Sequence, residues 1–199
     1  MKAFWFRVRQ LLYFYSRAVT KYQLHSPFVF DLANAVLEDS RWYYAFRDVE
    51  AVRNQMLASD VQLEVVDYGA GHSGSRTGKV TVRKVARDAA SSRRQGQMLF
   101  RLADWARPRT LLELGTSLGI GTMYLAAAVR SARVVSLEGC PDFAKVARIN
   151  LDLLDLKNVS ILVGEFDHTL PKALKKKKKP DLVFIDGNHR PEPALRYFE

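Results

Sequence analysis

Two regimes of hydrophobic patterning divide this chain. From Thr110 onward, short apolar runs recur at Thr110 to Leu114, Arg133 to Leu137, Val159 to Val163 and Asp181 to Ile185. Apolar runs of this length, bounded by glycine or charge, read as buried strands. Between them, Thr122 to Val129, Phe143 to Leu154 and Thr169 to Lys178 carry helical patterns, and Pro180 stops the last. Strand and helix in alternation predict an α/β fold, with a parallel sheet and helices on both faces. A further helix around Gln95 to Ala106 ends before Pro108.

The first 60 residues follow a different pattern. Phe4, Val8, Leu11, Leu12 and Tyr15 recur at helical spacing. Ser26-Pro27 has the form of an N-cap with proline at the first helical position, opening a helix to about Glu38. Aromatics crowd this half: Phe14, Tyr15, Tyr22, Phe28, Phe30, Trp42, Tyr43, Tyr44 and Phe46. With the neighbouring arginines they leave two readings open. One is a basic amphipathic helix lying on a membrane; the other, the favoured one, is helices that pack on the sheet and roof the substrate pocket. The expected organisation is a helical extension over 1–60, a basic Gly-rich linker over 61–94 and the sheet domain over 95–199.

Chemistry concentrates after the first strand. Leu111-Leu112-Glu113-Leu114-Gly115-Thr116-Ser117-Leu118-Gly119-Ile120-Gly121 runs from strand through glycine loop into helix. The second strand ends at Glu138, 23 positions beyond Gly115. Glycines at such a turn let backbone approach a ligand at a helix N-terminus, and the acid can accept hydrogen bonds from two ribose hydroxyls. The spacing is not G-x-G-x-x-G, and no Gly-Lys-Ser or Gly-Lys-Thr follows. With no Lys or Arg between Leu111 and Val129, nothing in the loop offers to pair with a pyrophosphate. A nucleoside cofactor without phosphates is favoured.

A second glycine loop, Val65-Val66-Asp67-Tyr68-Gly69-Ala70-Gly71-His72, imitates the first. Polar, Gly-rich sequence follows it instead of an amphipathic helix, and no strand-end acid stands at the required distance. It reads as a flexible loop, either closing over the site or unspecialised.

Composition narrows the setting. The 199 residues, 48% of them apolar, can hold one α/β domain plus an extension. A single cysteine, Cys140, excludes an internal disulfide framework and fits a reducing compartment, so a cytoplasmic location is expected. Arg7 and Arg9 interrupt the early apolar cluster where a signal peptide would need continuity, and no apolar run reaches the ~18 residues of a membrane span. The net charge of +10 is uneven: ten Lys and Arg against four Asp and Glu lie between Val61 and Thr110. That surplus could face an acidic substrate, nucleic acid or anionic lipid, but a solvated helix surface is the favoured reading.

E-x-G-x-x-x-G followed by a strand-end acid resembles the class I S-adenosylmethionine (SAM) methyltransferases. Gly96-Gln97 on the helix before the first strand is similar to the catechol- and caffeoyl-CoA-type O-methyltransferases. The resemblance covers about 91–199 and implies a Rossmann-like sheet with strand order 3-2-1-4 among the visible strands. It implies that Glu113 binds the methionine amino group, directly or through water. It implies further that Gly115, Ser117 and Gly119 let backbone pass the cofactor, that Gly121 lies at a carboxylate-binding helix start, and that Glu138 holds the ribose. Asp167 matches the acceptor for the adenine amine, with Phe166 beside the ring and Glu165 as the alternative acceptor. Asp186-Gly187-Asn188-His189 falls where that family places a metal-binding aspartate and, three positions on, a lysine base. Asp186 then binds a divalent metal or contacts the methionine moiety, and His189 is the candidate general base. Metal dependence stays open, because the other ligands come from a fifth strand. The family has seven strands, so roughly 60 further residues are expected beyond Glu199 at about 30 per βα unit. Strand four would otherwise be an open edge that a partner, a homodimer among the options, can cover.

The resemblance implies methyl transfer from SAM to a hydroxyl of a small molecule. An RNA methyltransferase is the enzyme alternative, motivated by charge, although an N/D-P-P-Y/F/W motif is missing and nucleic acid is not the expected partner. A catalytically silent binding or membrane-associated module is the alternative outside enzymes.

Overall fold

The computed structural model describes residues 2–18, 20–23, 25–67, 76–174, 179–187 and 191–198. Contacts divide the chain into two compact units, Met1–Asp39 and Ser40–Glu199.

In the first unit, α1 (Lys2–Arg17) is followed by a short 3-10 turn and by α2 (Pro27–Leu32). Ser26 caps α2 as its sequence predicts: its hydroxyl accepts from the Val29 N–H, and Pro27 opens the helix. The helix continues through a π-helical turn, Ala33–Leu37, to Glu38. Lys21 ties the two halves of this unit together by hydrogen bonds to Asn34 and Glu38.

The second unit begins with α3 (Tyr44–Leu57), then β1 (Gln62–Asp67), β2 (Arg76–Thr81), α4 (Val82–Asp88) and α5 (Arg93–Ala106). The alternating units follow: β3 (Thr110–Leu114), α6 (Ile120–Ala128), β4 (Arg133–Glu138), α7 (Pro141–Leu153), β5 (Val159–Val163), α8 (Phe166–Leu174), β6 (Leu182–Ile185) and α9 (Pro191–Phe198). The four strands β3 to β6 form one parallel sheet in the order β5-β4-β3-β6, which is 3-2-1-4 counted from β3.

Each face of the sheet has its own cover. Leu111 and Val134 join Phe46, Val49, Val52 and Met56 of α3, Phe100 of α5 and Met123 of α6 in the larger core. Leu112, Leu114 and Leu137 face the other way, against Phe166, Leu170 and Ala173 of α8 and Tyr197 of α9. Period-2 alternation thus assigns β3 to two apolar layers, which explains why leucines stand at both parities of the strand around a single acid, Glu113. α6 is covered nearly all round and lacks a polar face. α5 starts at a capping box, Ser92 with Gln95, and ends with Arg107 in a left-handed conformation at φ 45°.

Three features differ from the sequence expectation. The segment read as a flexible loop has strands on both flanks: β1 and β2 pair antiparallel from Gln62↔Thr81 to Asp67↔Arg76. Tyr68 to Ser75, the glycine-rich centre, lies outside the described residues. α3, which composition grouped with the N-terminal extension, shares the larger core with the sheet. The helix expected from Thr169 begins at Phe166 and is described to Leu174; Lys175 to Lys178 lie outside the described residues.

Candidate functional site

At the carboxyl ends of the strands lies a cavity of about 410 Å³. Three strand ends deliver acids to its wall: Glu113 from β3, Glu138 from β4 and Asp186 just past β6. Glu165 and Asp167, at the start of α8, add two more. Among the described residues no Lys, Arg or His lines it, in a chain whose net charge is +10. Such a wall repels phosphate and attracts a cation.

Backbone geometry at the end of β3 brings these groups together. Gly115 has φ 107°, and a side-chain carbon there would stand 2.6 Å from the Asp186 carbonyl oxygen. Only glycine fits so close to the end of β6. Ser117, at φ 49°, turns its N–H onto Glu138. Glu138 accepts from Ser117 N–H at 2.7 Å on one oxygen and from Cys140 N–H at 2.8 Å on the other. Each carboxylate oxygen keeps further acceptor capacity. Burial pushes the Glu138 carboxyl above its ordinary range, against the opposing pull of those N–H donors.

Glu113 is 1% exposed. The hydroxyls of Thr122 and Ser136 each donate to its Oε2 at 2.6 Å, and Ser136 is itself hydrogen-bonded to Thr116. Burial, with the nearby charges of Asp186 and Glu138, pushes its carboxyl up to about 7. A cation arriving beside it would draw it back to the ionised form.

The other residues singled out from sequence divide into three groups. Gly115, Ser117, Gly121, Phe166, Asp167, Asp186 and the alternative Glu165 line the cavity with Glu113 and Glu138. Gly119 is not among the lining residues; at φ 87° it caps α6, and a side-chain carbon there would press on Ala147 of α7 at 3.2 Å. Asp167 also receives Arg196 of α9 at 3.3 Å. His189 and Asn188 lie outside the described residues. Among the described residues no three His, Cys, Asp or Glu side chains form a metal-holding group.

Several wall residues carry no motif. Val65 and Val66 of β1 line the cavity, and the hairpin is held there by two contacts with the start of α7. Asp142 Oδ2 accepts from the Glu64 N–H at 2.9 Å, and the Cys140 thiol donates to the Glu64 carbonyl. Ser91 enters through Arg53, which is 9% exposed and donates to its carbonyl at 2.7 Å. Tyr197 of α9 meets Phe166 edge-on at 5.7 Å. Alternation in β1 was the one legible signal for Val65.

A parallel sheet in the order 3-2-1-4, with a glycine turn after its first strand and an acid after its second, defines a Rossmann-like nucleoside-binding fold. Residues 112–199 match the family model described as a methyltransferase domain. Among curated proteins, catechol O-methyltransferase of Niastella koreensis is 35% identical over 108 residues, covering 53% of this chain and 48% of that protein. Among solved structures, cofactor-bound Rv0187 from MTB superposes with a TM-score of 0.55 at 26% identity, over 88% of this chain and 67% of that one. An O-methyltransferase from Bacillus cereus in complex with SAH gives 0.56 at 21% identity, over 83% and 68%. The chain spans about half the length of the curated relatives it matches. Over residues 112–199 its sheet unit is therefore similar to methyltransferase domains, and to the catechol O-methyltransferases among them.

Proposed function

We propose that the cavity binds SAM and that the protein transfers its methyl group to a hydroxyl of a small molecule. The observation that carries this reading is the acidic, cation-free wall among the described residues. SAM bears a sulfonium and an ammonium but no phosphate, so its charges suit this wall while those of a dinucleotide do not. Glu138 holds the ribose hydroxyls, and Glu113 receives the methionine ammonium. Gly115, Ser117 and Gly121 give backbone access along the cofactor. Phe166 and Tyr197 border the adenine, with Asp167 or Glu165 accepting from its amine.

SAM supplies an already activated methyl group. The chain has to hold the acceptor in line and take its proton. Asp186 borders this end of the cavity, and His189, three positions on, is proposed as the base. Asp186 is also the residue that would contribute to a divalent-metal site. The single Cys140, buried and free, suits a reducing compartment such as the cytoplasm.

Isothermal titration with SAM, followed by methyl transfer to a panel of phenols and to RNA, tests the reading. SAM should bind, and phenols should be methylated in preference to RNA. Glu138→Ala should weaken SAM binding by about 1.5–3 kcal/mol, the scale of charge-assisted hydrogen bonds. An intact variant that binds SAM within twofold of wild type would remove Glu138 from the ribose site.

A further inference from the structure

Helix α1 carries a surface that the methyltransferase reading does not use. Phe4, Trp5, Leu11, Leu12 and Tyr15 are each more than half exposed. At 100° per residue, Phe4, Val8, Leu11, Leu12 and Tyr15 fall on one stripe, with Trp5 at its margin. Arg7, Arg9 and Arg17 lie outside the stripe, Arg7 and Arg9 on opposite sides of it, and all three are exposed. No Asp or Glu occurs before Asp31. Exposed apolar surface of this extent on a soluble chain marks an interaction site.

We propose that α1 docks in the plane of an anionic lipid surface, with the stripe buried among acyl chains and the arginines at the headgroups. Charge and shape select this occupant. A second copy would set the same acid-free helix against itself, because a two-fold interface pairs identical patches, and the arginines would meet no acid. A nucleic acid would satisfy the arginines and leave the stripe in water. An anionic bilayer satisfies both. α1 lies in a lipid plane and does not span it, since no helix among the described residues is long and apolar enough to cross a membrane. Phe14, flanking the stripe, suits the headgroup boundary, while Phe6 and Tyr13 lie on the opposite face. The inference stands on α1 alone and holds whichever acceptor the cavity takes.

Co-sedimentation of the full chain with vesicles of phosphatidylcholine, with and without 30% phosphatidylserine, tests it. Binding is expected on the anionic vesicles, at least about tenfold weaker on the neutral ones, and weaker as salt rises. Phe4→Ser/Leu11→Ser and, separately, Arg7→Glu/Arg9→Glu should each lower the anionic partition coefficient about tenfold or more. SAM binding, read in parallel, should be unchanged, since the described residues that line the cavity belong to the unit Ser40–Glu199. Equal partition into both vesicle types would overturn the proposal. So would a concentration-dependent dimer abolished by Phe4→Ser/Leu11→Ser, or tighter binding to single-stranded RNA than to anionic vesicles.

Discussion

Glu113 is the residue at which burial and charge are most closely opposed. Its carboxyl is raised from about 4.5 to about 7 because it is buried between Asp186 and Glu138, despite two hydroxyl donors. Between those values the folded protein holds a proton that the unfolded chain releases. This contribution to stability is therefore complete below about pH 4.5 and is lost as pH rises through about 7. Glu113→Gln keeps the shape and removes the titration. Thermal unfolding from pH 4.5 to 8 should show wild type losing stability relative to the variant as pH rises. A constant difference across that range would show that Glu113 does not titrate there. The same group should make SAM binding pH-dependent, because a cation beside it favours the ionised form. SAM affinity should strengthen as pH rises through about 7 in wild type, and this dependence should flatten in Glu113→Gln.

At the scale of elements, packing between α5 and α6 is the point most sensitive to a single atom. A side-chain carbon added at Gly96 would stand 2.3 Å from the ring of Tyr124, which is fully buried. That ring cannot easily give way, since its hydroxyl donates to Glu50 at 2.8 Å and Glu50 is paired with Arg53. Gly96→Ala gains about 1 kcal/mol of helix propensity, while overpacking costs about 1–3 kcal/mol. The variant should be less stable by up to about 2 kcal/mol in urea unfolding; a stabilised variant would show that the two helices can separate at no cost. Sequence made Gly96 legible only by family likeness, because its reason lies on a helix 28 residues away. The strands from β3 to β6 were legible for a local reason: each is short and mostly apolar, and in β3 leucines from both parities of the strand enter the two cores. The hairpin was not, because a polar, glycine-rich centre hides two short flanks whose pairing is non-local. In the site, Glu113, Gly115 and Glu138 stood out by spacing. Val65, Ser91 and Tyr197 reach the cavity only through tertiary contacts such as Arg53 on Ser91 and Asp142 on Glu64.

For the molecule as a whole, the division into two units separates the consequences of binding. Every described residue lining the cavity lies between Val65 and Tyr197, within the unit Ser40–Glu199. A ligand that binds only the folded state stabilises the unit that holds it, by about 2.7 kcal/mol when its concentration is 100-fold above Kd. For a unit of this size that corresponds to a rise in Tm of roughly 5–11 °C. Hydrogen exchange in the presence of SAM should therefore slow in β3, β4, α6 and the Glu138–Cys140 turn. α1 should exchange as it does without ligand, because its backbone hydrogen bonds are its own and the described residues that line the cavity belong to the other unit. Anionic vesicles should produce the reverse pattern, slowing exchange in α1 while leaving the sheet unchanged. If SAM instead protected α1 as strongly as β3, the two units would be coupled in binding. The N-terminal unit would then belong to the site.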